Sequence, residues 1–331
     1  MKSTDNTGDL SVSKRLLERV NRFLVQPMDA APVRWFECLF TLTFLLNMGR
    51  CLLDWPEWLT SEGFHLDAVE SELLGYPAPQ PLMSAGWQVL IYAVLIFGSG
   101  LTLLTGKMRR LALLLLWGGA VYGQQVDILS AHSLNKFYIA IYTLLLLGPG
   151  IWRDEATNRF MQSASMLRIL QATLILSYLA AGLAKVDGDW LTSSDVLWSQ
   201  VQGIYRTELT SWLLLVLPKA AWAVMQHLSL AFELLAPLLF IVARLRFSTM
   251  IFGLLFHGMI ALLMRDLIYF SLQMACFYAL FVTADEWWAF ENGCFRKYRS
   301  VGNSRQGGKC GLAISSASPY PPRPCLTKNP L

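Results

Sequence analysis

The residues able to do chemistry in this chain sit inside or beside apolar runs. Residues 176–191 read LSYLAAGLAKVDGDWL. The run passes Tyr178 and the small residues Ala180, Ala181 and Gly182, and it ends on Lys185. Asp187, Gly188, Asp189 and Trp190 follow. His227 and Glu233 lie in QHLSLAFELLAPLLF, with Pro237 four residues past the glutamate. His257 lies in GLLFHGMIALL, and His132 opens the apolar part of DILSAHSLNKFYIAIY. An ionisable side chain inside lipid is expensive; it faces the bundle interior and marks function. A lysine in water is protonated at neutral pH and is no base. Removal from water disfavours its charged form. Lys185 therefore has two readings: an anchor snorkelling to the membrane surface, or an amine held at the mouth of a buried site. His132 fits a hydrogen-bonded loop residue or a proton relay. Glu233 and His257 fit an interhelical polar pair or the lining of a pocket. Trp190 reads as an interface anchor.

Other chemistries are absent from the pattern. There is no GxSxG elbow, no Walker loop and no HExxH. GSGLTLLTGK lacks the GK[ST] ending and lies in an apolar run, so it reads as a small-residue packing patch. Cys38, Cys51, Cys276, Cys294, Cys310 and Cys325 form no CxxC pair and no Cys/His cluster of zinc spacing, so no metal site is expected. They read as reduced packing or tail cysteines.

These residues need elements to hold them, and the composition says which kind. The chain has 331 residues, 54% hydrophobic and only 15% charged, against about a quarter charged in soluble domains. Its mean hydropathy is +0.42. It reads as an all-α, polytopic integral membrane bundle of about eight transmembrane helices. The apolar runs are 33–53, 87–105, 111–126, 137–152, 167–185, 221–243, 247–264 and 267–284. Residues 1–32 are a polar lead, and SVSKRLLERVNRFLV within it has the spacing of an amphipathic helix that lies on the membrane or packs on the protein. The membrane domain is placed at 33–290. Residues 291–331, with SSASPYPPRPC, form a tail expected to be largely disordered.

The net charge of +4 is spread over the flanks of these runs, which argues orientation and not nucleic-acid binding. Between the first two runs lie Asp54, Glu57, Glu62, Asp67, Glu70 and Glu72, with no Lys or Arg. Lys14, Arg15, Arg109, Arg110, Arg153, Arg159, Arg244 and Arg246 fall on the opposite side. Basic flanks face the cytoplasm, so both termini are expected there and Lys185 near the outer face. A lysine anchor is less expected on that acidic side.

Several segments, in order, resemble the membrane domain shared by vitamin K-dependent γ-carboxylases and bacterial HTTM (horizontally transferred transmembrane domain) proteins. YLAAGLAKVDGDWL is similar to the segment that carries the carboxylase's catalytic lysine. AHSLNKFYIAIYTLL resembles the stretch with Asn-His-Ser before a helix. FHGMIALLMRDLIYFSLQMACFYALF resembles a Phe-His-x-Met stretch before a Phe-rich helix, and APVRWFECLFTLTFLL the opening Arg-containing helix. The likeness spans roughly residues 30 to 290. It departs at Ala184-Lys185, where the animal enzyme has two lysines, and at Ala131, where it has asparagine. The large soluble region that binds the animal enzyme's protein substrate has no counterpart here.

The resemblance implies a catalytic Lys185 and His132, with His257, Glu233 and Tyr178 lining the pocket of a reduced, vitamin K-like quinone. It implies a carbon–carbon lyase and epoxidase chemistry in which an amine deprotonates the quinone and a glutamate-containing peptide or protein is carboxylated. Membrane lipid is the other expected partner, and the bacterial inner membrane the expected location. Two alternatives stand beside it: a non-enzymatic scaffold or accessory factor for export or maturation of a secreted peptide, and a small-molecule transporter. The second is disfavoured because no inverted halves with broken helices are visible.

Overall fold

The computed structural model describes residues 7–63, 65, 72–73, 75, 82–126, 132–265 and 267–288. The tail from 291, Ala131 and Asp266 lie outside the described residues. The chain is mostly helical. Its helices are α1 (Thr7–Val25), α2 (Ala31–Leu53), α3 (Trp55–Leu59), α4 (Gly86–Leu104), α5 (Arg109–Val126) and α6 (His132–Leu147). After these come α7 (Ala164–Asp187), α8 (Val196–Gln200), α9 (Glu208–Val216), α10 (Lys219–Ile241), α11 (Arg246–Leu263) and α12 (Ile268–Cys276). A 3₁₀ turn, Phe277–Phe281, extends α12.

Every apolar run becomes a helix, and local chemistry sets the ends. Pro32 sits in the first turn of α2, where its missing N–H costs nothing. The Gln88 carboxamide oxygen accepts the Ser84 and Ala85 backbone N–H groups at 2.8 and 3.2 Å and starts α4. Gly188 stands just past α7. Among the described residues, five helices are long and apolar enough to cross a membrane: α2, α4, α7, α10 and α11. The remaining apolar runs give shorter or less apolar helices. The fourth stops at Leu147 instead of 152, because Gly148-Pro149-Gly150 cannot continue it. The eighth changes from α to 3₁₀ after Cys276.

The mostly helical chain is consistent with the all-α reading, and one small feature adds to it. A small antiparallel sheet, ordered β1-β3-β2, joins Pro27–Asp29, Phe160–Ser163 and Trp152–Arg153. Met28 faces Gln162, and Arg153 faces Phe160. These strands are too short to show a period-2 pattern in the sequence.

Contacts between helix ends fall into two groups. At one end, the sheet ties the start of α2 to the segment between α6 and α7, and Arg109 at the head of α5 binds Glu37. The Gln171 amide of α7 donates to the Leu280 carbonyl at this end. At the other end, the Met83 N–H donates to the Leu59 carbonyl at 2.8 Å, and the His65 ring meets the Val126 and Thr60 carbonyls. There too the Arg265 N–H donates to the Tyr205 carbonyl at 2.7 Å. The helices from the apolar runs thus alternate in direction.

Small residues set the helix spacing. A Cβ on Gly119 would lie 1.9 Å from Ile96 Cδ1, and one on Gly100 would lie 2.6 Å from Leu45 Cδ1. Within the GSGLTLLTGK segment, Gly100 is therefore a close-packing position.

Candidate functional site

The site is built on four helices. α7 contributes Tyr178, Ala181 and Lys185, spaced three, four and seven residues apart and so on one face. α10 contributes Met225, Ser229 and Glu233 at a spacing of four. α11 contributes Phe256, His257 and Ile260, and α12 contributes Phe270 and Gln273. They enclose a cavity of about 1000 Å³ with mainly apolar walls. Gly182 brings α7 close to α10: a Cβ there would lie 2.9 Å from Leu234 Cδ2 and 3.1 Å from the Leu234 backbone nitrogen. The small patch before Lys185 does the work that its composition suggested.

Lys185 does not stand alone. Its Nζ donates to both Glu233 carboxylate oxygens, at 2.5 and 2.6 Å. The glutamate side chain is only 7% exposed, and the lysine 23%. The Trp190 ring centre lies 4.6 Å from Nζ, within cation–π range. Trp190, expected as an interface anchor, lines the cavity as a roof over the lysine. Asp187 is exposed and absent from the cavity wall, whereas Asp189 reaches its rim. The amine is thus held in by Glu233 and not merely by small apolar neighbours. Pro237 has no N–H for the Glu233 carbonyl four residues earlier, yet α10 continues through it.

The second cluster is a hydrogen-bonded row. The Tyr178 hydroxyl lies 2.8 Å from His257 Nε2 and 2.5 Å from the Tyr278 hydroxyl. All three residues are buried, and His257 Nδ1 has no hydrogen-bond partner among the described residues. One direction of the row uses every hydroxyl hydrogen. Tyr278 donates to Tyr178, Tyr178 donates to Nε2, and the ring hydrogen rests on Nδ1. Each direction leaves one buried hydrogen without an acceptor among the described residues: the Nδ1 hydrogen in this one, the Tyr278 hydroxyl hydrogen in the reverse.

The structure therefore brings four of the five sequence-selected residues together: Lys185, Glu233, Tyr178 and His257. His132 begins α6, but its side chain lies outside the described residues. α6 reaches the cavity through Phe137. His227, six residues before Glu233, is exposed and lies off the wall. Tyr278 was not selected, since a tyrosine in a Phe-rich segment carries no local signal. Its partner signal is Gly253, four residues before His257, where a Cβ would lie 2.1 Å from the Tyr278 hydroxyl. Among the described residues no three His, Cys, Asp or Glu side chains gather as a metal site.

Searches of curated proteins and of solved structures return no match to this chain. A family model, described as the HTTM domain, matches residues 25–287, from the end of α1 past the 3₁₀ turn. That span holds every helix of the cavity, and the apolar helices make this an integral membrane protein. The chain belongs to the HTTM domain family.

Proposed function

We propose that this protein binds a neutral, lipid-soluble quinol in the cavity and uses Lys185 as the base of a carboxylase-like reaction. The observation that carries the reading is the convergence of Lys185, Glu233, Tyr178 and His257 on one apolar cavity within the membrane helices. The site's own charges support a neutral ligand. The lone cation of its described wall is paired with Glu233, and Asp189 adds a negative charge. An acidic peptide finds no free cation among these residues, so a glutamate-containing acceptor is proposed to approach from the Trp190 side without entering. When bound, a reduced quinone would supply a ring hydroxyl for deprotonation and, through its oxidation by O2 to the epoxide and water, the energy for replacing a glutamate γ-hydrogen, lost as a proton, with CO2.

The proton inventory of the pair follows from its geometry. Ammonium with carboxylate, and amine with carboxylic acid, are both neutral overall. Lys185 can accept a proton only from the second form, with Glu233 holding the first. After transfer the pair carries one positive charge next to the anion it has made, an arrangement that Coulomb attraction favours in an apolar site. The Trp190 face stabilises the resulting ammonium. The His257 row fixes the ring's orientation, and His132 is proposed as a second proton carrier.

The alternation of helix direction and the basic residues at the sheet end support eight membrane crossings with the termini in the cytoplasm. On this reading Lys185 lies in the outer half of the bilayer, and a bacterial inner membrane suits the arrangement. The test gives purified protein reduced vitamin K, labelled bicarbonate and a glutamate-containing peptide, with mass analysis of what co-purifies. Label should enter the peptide and disappear in Lys185→Ala. Incorporation that survives this substitution overturns the base assignment. A preparation without retained quinone and without incorporation, but with a retained peptide, favours the accessory role in export.

A further inference from the structure

One buried side chain makes three hydrogen bonds to the segment that follows α7. Gln226 of α10 is fully buried. Its carboxamide oxygen accepts the Leu197 N–H at 3.0 Å, and its Nε2 donates to the Trp190 and Ser193 carbonyls at 2.9 and 2.6 Å. Both amide hydrogens and the oxygen are in use, all on backbone groups of residues 190–197. Within the segment, the Ser193 N–H donates to the Asp189 carbonyl at 2.8 Å. Gly188, Asp189, Trp190, Val196 and Leu197 form part of the cavity wall. The segment is thus a roof pinned from below, with the indole over Lys185.

We infer that Gln226 is a positioning residue that holds Trp190 over Lys185 and so keeps water from the amine. The hydrogen bonds of Gln226 go to backbone groups of the roof and not to Lys185 or Glu233; it acts through the backbone of Trp190. An amine closed in by a carboxylate and an indole face is shielded on two sides, and every electrostatic contact beneath the roof gains from the exclusion of water. With the roof pinned, a ligand must reach the cavity from elsewhere. Leu228, Phe252, Leu255 and Met259 of α10 and α11 line the cavity and are exposed on the bundle. The opening therefore lies between those helices, toward lipid. The inference deepens the proposed role of Lys185, but its test needs no quinone and no turnover.

The test labels the intact protein, in bilayer nanodiscs, with a water-soluble amine reagent and reads each lysine by peptide mass analysis. Exposed Lys107, at the far end of the bundle, is the internal reference. In the wild type Lys185 should label much more slowly than Lys107. Gln226→Ala and Trp190→Ala should each raise Lys185 labelling several-fold with Lys107 unchanged. The double variant should add little, because both remove the same roof. Gln226→Glu keeps the acceptor for Leu197 and loses both donors, so it should fall between. Trp190→Phe should restore most of the protection. Folded Gln226→Ala or Gln226→Glu protein that protects Lys185 as well as the wild type overturns the inference. So does full additivity in the double variant. Loss of quinone chemistry with protection intact would count against the proposed function alone.

Discussion

Two buried carboxylates with basic partners divide the molecule. Glu37 on α2 accepts Arg109 Nε at 2.9 and 3.0 Å; Glu233 on α10 accepts Lys185 Nζ at 2.5 and 2.6 Å. Their exposures are nearly equal, 5% and 7%. Their surroundings differ. Around Glu37 the bundle is filled: Phe36, Phe40, Phe44, Tyr138, Tyr142 and Phe277 are buried to completion. There the polar tips pair among themselves, Tyr138 with Thr43 and Tyr142 with Thr41. Around Glu233 lies a cavity, and His257 Nδ1 is left without a partner among the described residues. Arginine keeps its proton at every accessible pH and suits a fixed joint; lysine can give its proton up. The difference separates a half that is filled by aromatic side chains from a half that holds a cavity.

The comparison breaks most sharply on exchange of the two bases. Lys185→Arg keeps the charge on Glu233 but removes an amine able to act as base. Carboxylation should fall by ~10²–10⁴-fold, the usual range for loss of a general base, with the melting temperature nearly unchanged. Arg109→Lys keeps the charge on Glu37 but loses the planar fork. It should cost about 1 kcal/mol of stability and leave turnover unaltered. A Lys185→Arg protein with wild-type turnover would dissolve the distinction.

Packing gives the next contrast. Phe40 stacks on Phe36 at 5.2 Å and meets Tyr138 at 4.9 Å between ring centres. Phe40→Ala should cost about 3–5 kcal/mol, as for other buried aromatics. Phe256 packs on Phe232 and His257 but also faces the cavity. Phe256→Ala removes side-chain contacts on one side only and should cost less than Phe40→Ala. Thermal unfolding in one detergent measures both. Equal losses would mean that the cavity half is as tightly packed as the other.

These contrasts show which features the sequence carried. All the apolar runs became helices, because the hydrophobic requirement of a spanning segment outweighs local propensity. Lys185, Glu233 and His257 stood out because ionisable groups in apolar runs are rare. That Lys185 and Glu233 form one pair was not legible, since 48 residues separate them and only the packing of α7 on α10 joins them. Gln226 and Tyr278 escaped for another reason: a glutamine or a tyrosine in a helix is ordinary until its partners are known. The β strands, two to four residues long, were beneath any periodic signal.

Two glycines sharpen the comparison at smaller scale. A Cβ on Gly253 would strike the Tyr278 hydroxyl, whereas one on Gly98 of α4 would meet nothing within 4 Å. Gly253→Ala should displace Tyr278, break the row to His257 and cost about 1–3 kcal/mol. Gly98→Ala should instead stabilise by about 0.5–1 kcal/mol, through the lower backbone entropy of alanine in a helix. Opposite shifts in melting temperature are the expected result. A loss at both sites would point to a shared helix-packing role for the glycines.

The smallest effect lies outside the membrane helices, in the segment that roofs the cavity. The Ser193 hydroxyl hydrogen-bonds the Asp195 carboxylate, and Lys219 Nζ lies 2.9 Å from it. The serine hydrogen bond, and then the lysine, hold the Asp195 carboxyl below the ordinary aspartate range. A pKa lowered by folding means that the folded chain binds its proton less readily than the unfolded chain. The contribution to stability is therefore complete above the unfolded value of about 3.9 and is lost as the pH falls through the lowered one. Asp195 is exposed, so solvent and salt screen the effect. Asp195→Asn should lower the melting temperature slightly at pH 7, and the gap to wild type should close as the pH drops below 4. The same titration should loosen the roof, so wild-type labelling of Lys185 relative to Lys107 should rise on the acid side, and Asp195→Asn should already show the rise at neutral pH. A gap that stays constant across the acid range would place Asp195 outside the roof's support and leave Gln226 as its main attachment.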